Sequence, residues 1–203
     1  MSAMIAEMES PLEEQETTGS LLGLQLYSSV EDELWLDVLP DAKALIHRAV
    51  VLAYAMGLSP AVGPDAGLLC SVAELSVALS SDDKVRVLNR DHRQKDKPTN
   101  VLSFAMLDDP DEAVRAEQTG YLSLGDIVLA RETLQREAAE QGKSLEAHFL
   151  HLLVHGTLHL LGYDHISDEE AEEMEQLEVL ILARLGVANP YAEGSEWLMD
   201  EAQ

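Results

Sequence analysis

The sequence predicts an α+β fold, a small mixed β-sheet packed with helices, and three observations predict it. Apolar periodicity switches repeatedly between strand-like alternation and helical spacing, giving the element order β-α-β-α-β-β-α-α-α. The 203 residues, 46% hydrophobic and 25% charged, are enough for one domain with a proper core. Finally, three helical stretches in succession close the order, after the strands they would cover.

In chain order, residues 1–20 hold five glutamates and no aromatic, and are expected to be a disordered acidic extension. "LLGLQLYSS" (21–29) alternates as a strand. "VLPDAKALIHRAVVLAYAMGL" (38–58) predicts a helix entered through Pro40 and ended near Gly57. The Pro/Gly-rich "SPAVGPDAG" connects it to a strand within "LLCSVAELSVALSS" (68–81). "DDKVRVLNRDHR" (82–93) starts acidic and spaces Val85 and Leu88 helically. "NVLSFAM" (100–106) and "LSLGDIVLA" (122–130) predict two buried strands around an acidic loop, 107–120. Asp126 within the second is expected to be a buried acid in need of a partner. "RETLQREAAEQG" (131–142) is a helix with a glycine stop. "SLEAHFLHLLVHGTLHLLG" (144–162) is a helix capped by Ser144, with Ala147 where a capping box would place Glu. "SDEEAEEMEQLEVLILARLG" (167–186) is capped by Ser167 and closed by Arg184 and Gly186. The end, "VANPYAEGSEWLMDEAQ", is expected to be loose. The boundaries are therefore an extension at 1–20, one domain at 21–190 and a tail at 191–203.

Composition removes several functions. Cys70 is the only cysteine, so disulfide frameworks and thiolate metal sites are excluded. Any metal site must use His, Asp or Glu. The most apolar stretch, "ALIHRAVVLAYAMGL", carries His47 and Arg48, so no membrane span is expected. The acidic start is unlike a secretion signal, which makes a cytoplasmic location the expectation. A net charge of −25 argues against broad nucleic-acid binding. Yet six of the thirteen cations (Lys84, Arg86, Arg90, Arg93, Lys95 and Lys97) fall within residues 84–97. That segment is either a place to hold a phosphodiester or a solvated helix and turn rich in ion pairs, and charge alone leaves both open. With 4% aromatics there is little platform for stacking bases, so target choice is expected to come from partners.

The chemistry concentrates in "HLLVHGTLHLLGYDH" (151–165), which holds four of the seven histidines. Residues four apart share a helix face, so His155 and His159 project side by side. Gly162 ends the helix and the turn "GYD" brings His165 back. Three nitrogen donors with an open fourth position describe a catalytic zinc site. His151, His155 and His159 form a competing set, disfavoured because they span about 12 Å along the axis. His148 and His151 are expected outside the ligand set or on the surface, and Asp164 to stabilise the turn. The spacing is that of the metzincin pattern, which predicts a zincin-like metal-binding helix. The general-base glutamate of that pattern is replaced by Gly156, so peptidase chemistry lacks its base.

"HGTLHLLGYDH" and "RQKDKPTNVLSFAM" resemble the two signatures of the YbeY family, bacterial endoribonucleases and ribosomal RNA maturation factors. The resemblance runs from about residue 24 to 193. It implies a zinc-dependent hydrolase acting on single-stranded RNA in 16S ribosomal RNA 3′-end maturation and ribosome quality control. It implies one Zn2+ held by His155, His159 and His165, and a functional arginine at Arg93. It also implies, as partners, ribosomal RNA and the small subunit with its associated proteins or an assembly GTPase. Two alternatives stand beside it: a non-catalytic assembly factor with a structural metal, and a zinc metallopeptidase lacking the usual glutamate.

Overall fold

Burial alternates most plainly along Val72–Ser80, where Ala73, Leu75, Val77 and Leu79 all point into one core. A strand buried on alternate residues needs a helical layer on that face, and the chain supplies it. The computed structural model describes residues 16–21, 23–58, 72–107, 109 and 111–192. Its strands are β1 (Glu16–Leu21), β2 (Leu24–Val30), β3 (Val72–Ser80), β4 (Val101–Ala105) and β5 (Tyr121–Ala130), in the sheet order β1-β2-β3-β5-β4. The inner pairs β2·β3 and β3·β5 are parallel, and the outer pairs β1·β2 and β4·β5 antiparallel. The expected mixed sheet with helices is what forms.

Helices α2 (Ala42–Gly57), α6 (Leu145–Leu160) and α7 (Asp168–Leu185) contribute most of the main core on one face. On the other face α3 (Asp82–Arg93) presses Val85 against Leu102, Val128 and Ala130. The first turns of α3 and α5 (Arg131–Glu140) cap each other. Glu132 accepts from the Asp82 backbone N–H at 2.9 Å, while the Asp82 carboxylate accepts from Thr133 N at 2.9 Å and Oγ1 at 3.0 Å. This reciprocal cap fixes where α3 starts, and so where Arg93 at its far end lies.

Several expectations are corrected. Strand β1 begins at Glu16, inside the stretch expected to be disordered, and pairs with β2 along what would be an open edge. Residues 1–15, and the connection at 59–67, lie outside the described residues. A short helix, α1 (Leu34–Val38), precedes α2. Its Trp35 is fully buried, donates to Ser80 O at 2.8 Å and meets Phe149 at 5.5 Å. The acidic loop at 107–120 contains helix α4 (Glu112–Thr119). Arg115 ties Asp109 and Glu112 together, and Glu112 accepts from Ser123 N, so ion pairs stabilise a turn of chain that has little apolar pattern. Asp126 is exposed, not buried. The register of β3 against β5 slips at Gly125, whose φ is +124° and where a Cβ would sit 1.9 Å from Phe104 O. That bulge shifts the alternation, turning Asp126 outward and Ile127 inward. No helix among the described residues is long and apolar enough to cross a membrane.

Candidate metal centre

Helix α6 is built to hold side chains at fixed places. Ser144 caps it by accepting from Ala147 N at 3.1 Å. Nearly every residue from His148 to Leu160 is buried or half-buried. The helix ends where glycine is required: Gly162 has φ +89°, and Tyr163 N returns to Leu158 O at 3.1 Å. Tyr163 then donates its hydroxyl to Gly57 O on α2 at 3.1 Å, which anchors the turn. Asp164 accepts from the His165 backbone N–H at 2.8 Å, the turn-stabilising role expected of it. His165 thereby comes back over the last turn of α6.

His155, His159 and His165 are all half-buried and each offers a nitrogen within 4.8 Å of the others. His155 Nε2 and His159 Nε2 lie 3.0 Å apart. The ring centroids of His165 are 5.7 Å and 5.0 Å from those of His155 and His159. The opposite nitrogens fix the tautomers. His159 Nδ1 is 2.9 Å from Tyr163 O, which only accepts, so Nδ1 carries the proton and Nε2 is bare. His155 Nδ1 faces a carboxylate oxygen of Glu178 at 2.8 Å and likewise donates. Two bare Nε2 atoms cannot face each other at 3.0 Å without a proton or cation between them. Nitrogens on one tetrahedral zinc, with bonds of about 2.0–2.1 Å, would be about 3.3 Å apart. The donor set therefore fits a divalent ion. Burial, with His155 and His165 close by, pushes His159 down to about 4, so this ring is a neutral donor over the ordinary pH range.

Beneath the trio lies Glu178 on α7, fully buried. His151 Nε2 donates to its Oε2 at 2.7 Å, and the Tyr191 hydroxyl donates to the same oxygen. Burial alone would raise its carboxyl, but the bonds from His151 and His155 outweigh that and hold it well below the usual carboxylate range. Burial pushes His151 down, so it donates as a neutral ring. His148, also buried, meets Glu137 at 2.9 Å. Neither His148 nor His151 is on the surface, and neither belongs to the trio. Glu178 escaped the sequence reading, although the signal was there. Met174, Glu178, Ile181 and Leu182 form the core-facing stripe of α7, and an acid in such a stripe needs a partner. Tyr191, in the segment expected to be loose, is docked.

Arg93, the last residue of α3, is exposed and donates to Ser103 O on β4 at 3.3 Å. Ser103 Oγ lies 3.0 Å from where a Cβ on Gly156 would sit, and Gly156 follows His155. The guanidinium is thus joined to the histidine helix through one strand residue and does not bond the histidines themselves. Its neighbours answer the question that charge left open. Arg86 pairs with Asp96 in two bonds of 2.8 Å and 3.0 Å, Arg90 with Asp91 at 2.8 Å, and Lys84 with Glu31 at 3.3 Å. The first two are local ion pairs, and the third ties α3 to the chain just after β2. Gly156 packs against Ser103 and Ile127, where a Cβ would already be tight at 3.0–3.3 Å, so the position that holds the metzincin glutamate faces the sheet here.

The comparisons agree with this picture. The family model described as Endoribonuclease YbeY matches residues 59–186. The chain is 52% identical over 159 residues to Endoribonuclease YbeY of Paramagnetospirillum magneticum, covering 78% of this chain and 90% of that one. It is 51% identical over 160 residues to the Sphingopyxis alaskensis protein of the same name, covering 78% and 92%. It is 58% identical over 122 residues to that of Rhizorhabdus wittichii, covering 60% and 72%. With the family model spanning both the histidine helix and the Arg93 segment, the chain belongs to the YbeY endoribonuclease family.

Proposed function

We propose that the chain is a zinc-dependent endoribonuclease that cuts single-stranded RNA, acting in 16S ribosomal RNA 3′-end maturation and ribosome quality control in the cytoplasm. The observation that carries this is the convergence of donor atoms from His155, His159 and His165 in a member of an endoribonuclease family. Those three residues would hold the ion. A zinc ion held there would supply Lewis-acid activation of a phosphoryl oxygen and of water. Glu178 and Tyr163 O keep the protons of His155 and His159 on Nδ1, so each Nε2 stays available as a donor. Arg93 is exposed at the end of α3, and its planar guanidinium suits a phosphate held through two parallel hydrogen bonds. It would offset negative charge accumulating on the phosphoryl group.

The peptidase reading loses support because position 156 is a glycine packed closely on Ser103 and Ile127, so no carboxylate base stands there. A non-catalytic assembly role is the second reading, favoured by the net charge of −25 and the pairing of Lys84, Arg86 and Arg90 with acids. The test is cleavage of single-stranded RNA by metal-stripped and zinc-reloaded protein, with His159→Ala and Arg93→Ala alongside. We expect cleavage only after reloading, none with His159→Ala, and a loss of about 100-fold with Arg93→Ala at unchanged zinc content. Full cleavage by metal-free protein overturns the proposal. Ribosome association and RNA processing that persist in cells carrying both variants would favour the assembly role.

A further inference from the structure

We propose that Tyr191 and His151 position the metal ligand His155 through Glu178, which makes the segment 187–192 part of the metal centre. This rests on the metal-centre reading above. Glu178 uses its oxygens unequally. Oε1 accepts from His155 Nδ1 at 2.8 Å, while Oε2 accepts from both His151 Nε2 at 2.7 Å and the Tyr191 hydroxyl. The last torsion of a glutamate side chain is soft and roughly two-fold. Two donors converging on Oε2 remove that freedom and leave Oε1 aimed at His155. The carboxylate is fully buried, so water is in no position to replace either donor.

The two donors come from opposite directions in the chain. His151 sits one turn before His155 on α6, and its ring is 6.2 Å from that of His155. Tyr191 arrives from beyond α7. Gly186, at φ +83°, ends that helix, Val187 N returns to Leu182 O at 2.9 Å, and Asn189 accepts from Tyr191 N at 2.8 Å. The Tyr191 ring then stands edge-on to His151, 5.8 Å away at 87°. Glu178 thus lies between α6 and the returning chain, and the orientation of a metal ligand depends on a residue thirty-six positions later. Neither His151 nor Tyr191 touches the ion in this arrangement. Both are positioning residues.

The test compares wild-type, Tyr191→Phe and Glu178→Gln proteins in two measurements. Zinc affinity is read by competition with a fluorescent chelator, and the ring nitrogens of the metal-free proteins by 1H–15N NMR. Removing an outer partner of a metal-bound histidine weakens affinity by about 10- to 100-fold. Glu178→Gln is expected near the top of that range and Tyr191→Phe near the bottom. The His155 signals should move from a pure Nδ1–H tautomer to a mixture in Glu178→Gln, because an amide oxygen and an NH2 cannot serve all three donors. Tyr191→Phe keeps the ring packing and decides the matter even where Glu178→Gln does not fold. Wild-type zinc affinity in Tyr191→Phe, or unchanged His155 signals in a folded Glu178→Gln, overturns the proposal. A wild-type chain that binds no zinc at all would instead sink the metal-centre reading, and this proposal with it.

Discussion

Helix α6 carries four histidines in its two halves, and the halves use them in opposite ways. In the first half, His148 and His151 are buried and each places Nε2 on a carboxylate, Glu137 or Glu178. In the second half, His155 and His159 are half-buried, keep Nδ1 on an acceptor and turn Nε2 toward each other and toward His165. Residue type is the same along the helix, and His151, His155 and His159 follow one another at four-residue spacing, so neither distinguishes a structural histidine from a donor. What distinguishes them is which nitrogen is already satisfied. A neutral ring that donates Nε2–H to a carboxylate keeps its lone pair on Nδ1, and neither His148 nor His151 joins the group of converging donors. A ring held by Nδ1 turns its lone pair on Nε2 toward that group.

The widest gap between the halves appears on truncation. His159→Ala should weaken zinc binding by more than about 100-fold, beyond what losing an outer partner does, and leave the metal-free fold close to wild type. His148→Ala should do the reverse. It removes a fully buried ring and its bond to Glu137, for a loss of about 3 kcal/mol in denaturant unfolding, with zinc affinity within about threefold of wild type. Similar metal losses in both variants would erase the distinction between the two halves.

Much of this was legible beforehand because local signals agreed with the fold. The caps at Ser144 and Ser167, the stop at Gly162 and the trio at His155, His159 and His165 are short-range features, and spacing is enough to find them. What escaped depends on contacts between distant residues. Glu178 is twenty-three positions from His155, so its role appears only when α7 packs on α6. Helix α4 is stabilised by Arg115, Asp109, Glu112 and Ser123, whose charges look like those of a loop. Asp126 faces outward because of one bulge, and a single extra residue inverts every later position of a strand. Arg93 stands out in the sequence only through family likeness. Nothing in its local sequence separates it from Arg86 or Arg90, and only the structure shows those two paired with acids.

The close fit of the second half of α6 on the sheet gives a smaller effect. Gly156→Ala puts a methyl group 3.0 Å from Ser103 Oγ and 3.2 Å from Ile127 Cδ1. Overpacking of this kind costs about 1–3 kcal/mol. A melting temperature unchanged in Gly156→Ala would mean that α6 is free to move away from β4, and the route from Arg93 to His155 would lose its rigidity.

The smallest effect tests whether the basic segment is of one kind. Arg86 and Asp96 are both about half exposed, and ion pairs open to solvent contribute little to stability. Arg86→Ala should therefore leave the melting temperature close to that of wild type, and its RNA cleavage should stay within about threefold of wild type, since Asp96 already occupies that guanidinium. Arg93→Ala removes a guanidinium that bonds a backbone carbonyl, a weaker competitor for phosphate than a carboxylate. Steady-state cleavage of one single-stranded RNA by both variants compares them directly. Equal losses would mean that the segment works as a diffuse positive field, and that pairing with acids does not decide which arginine meets the substrate.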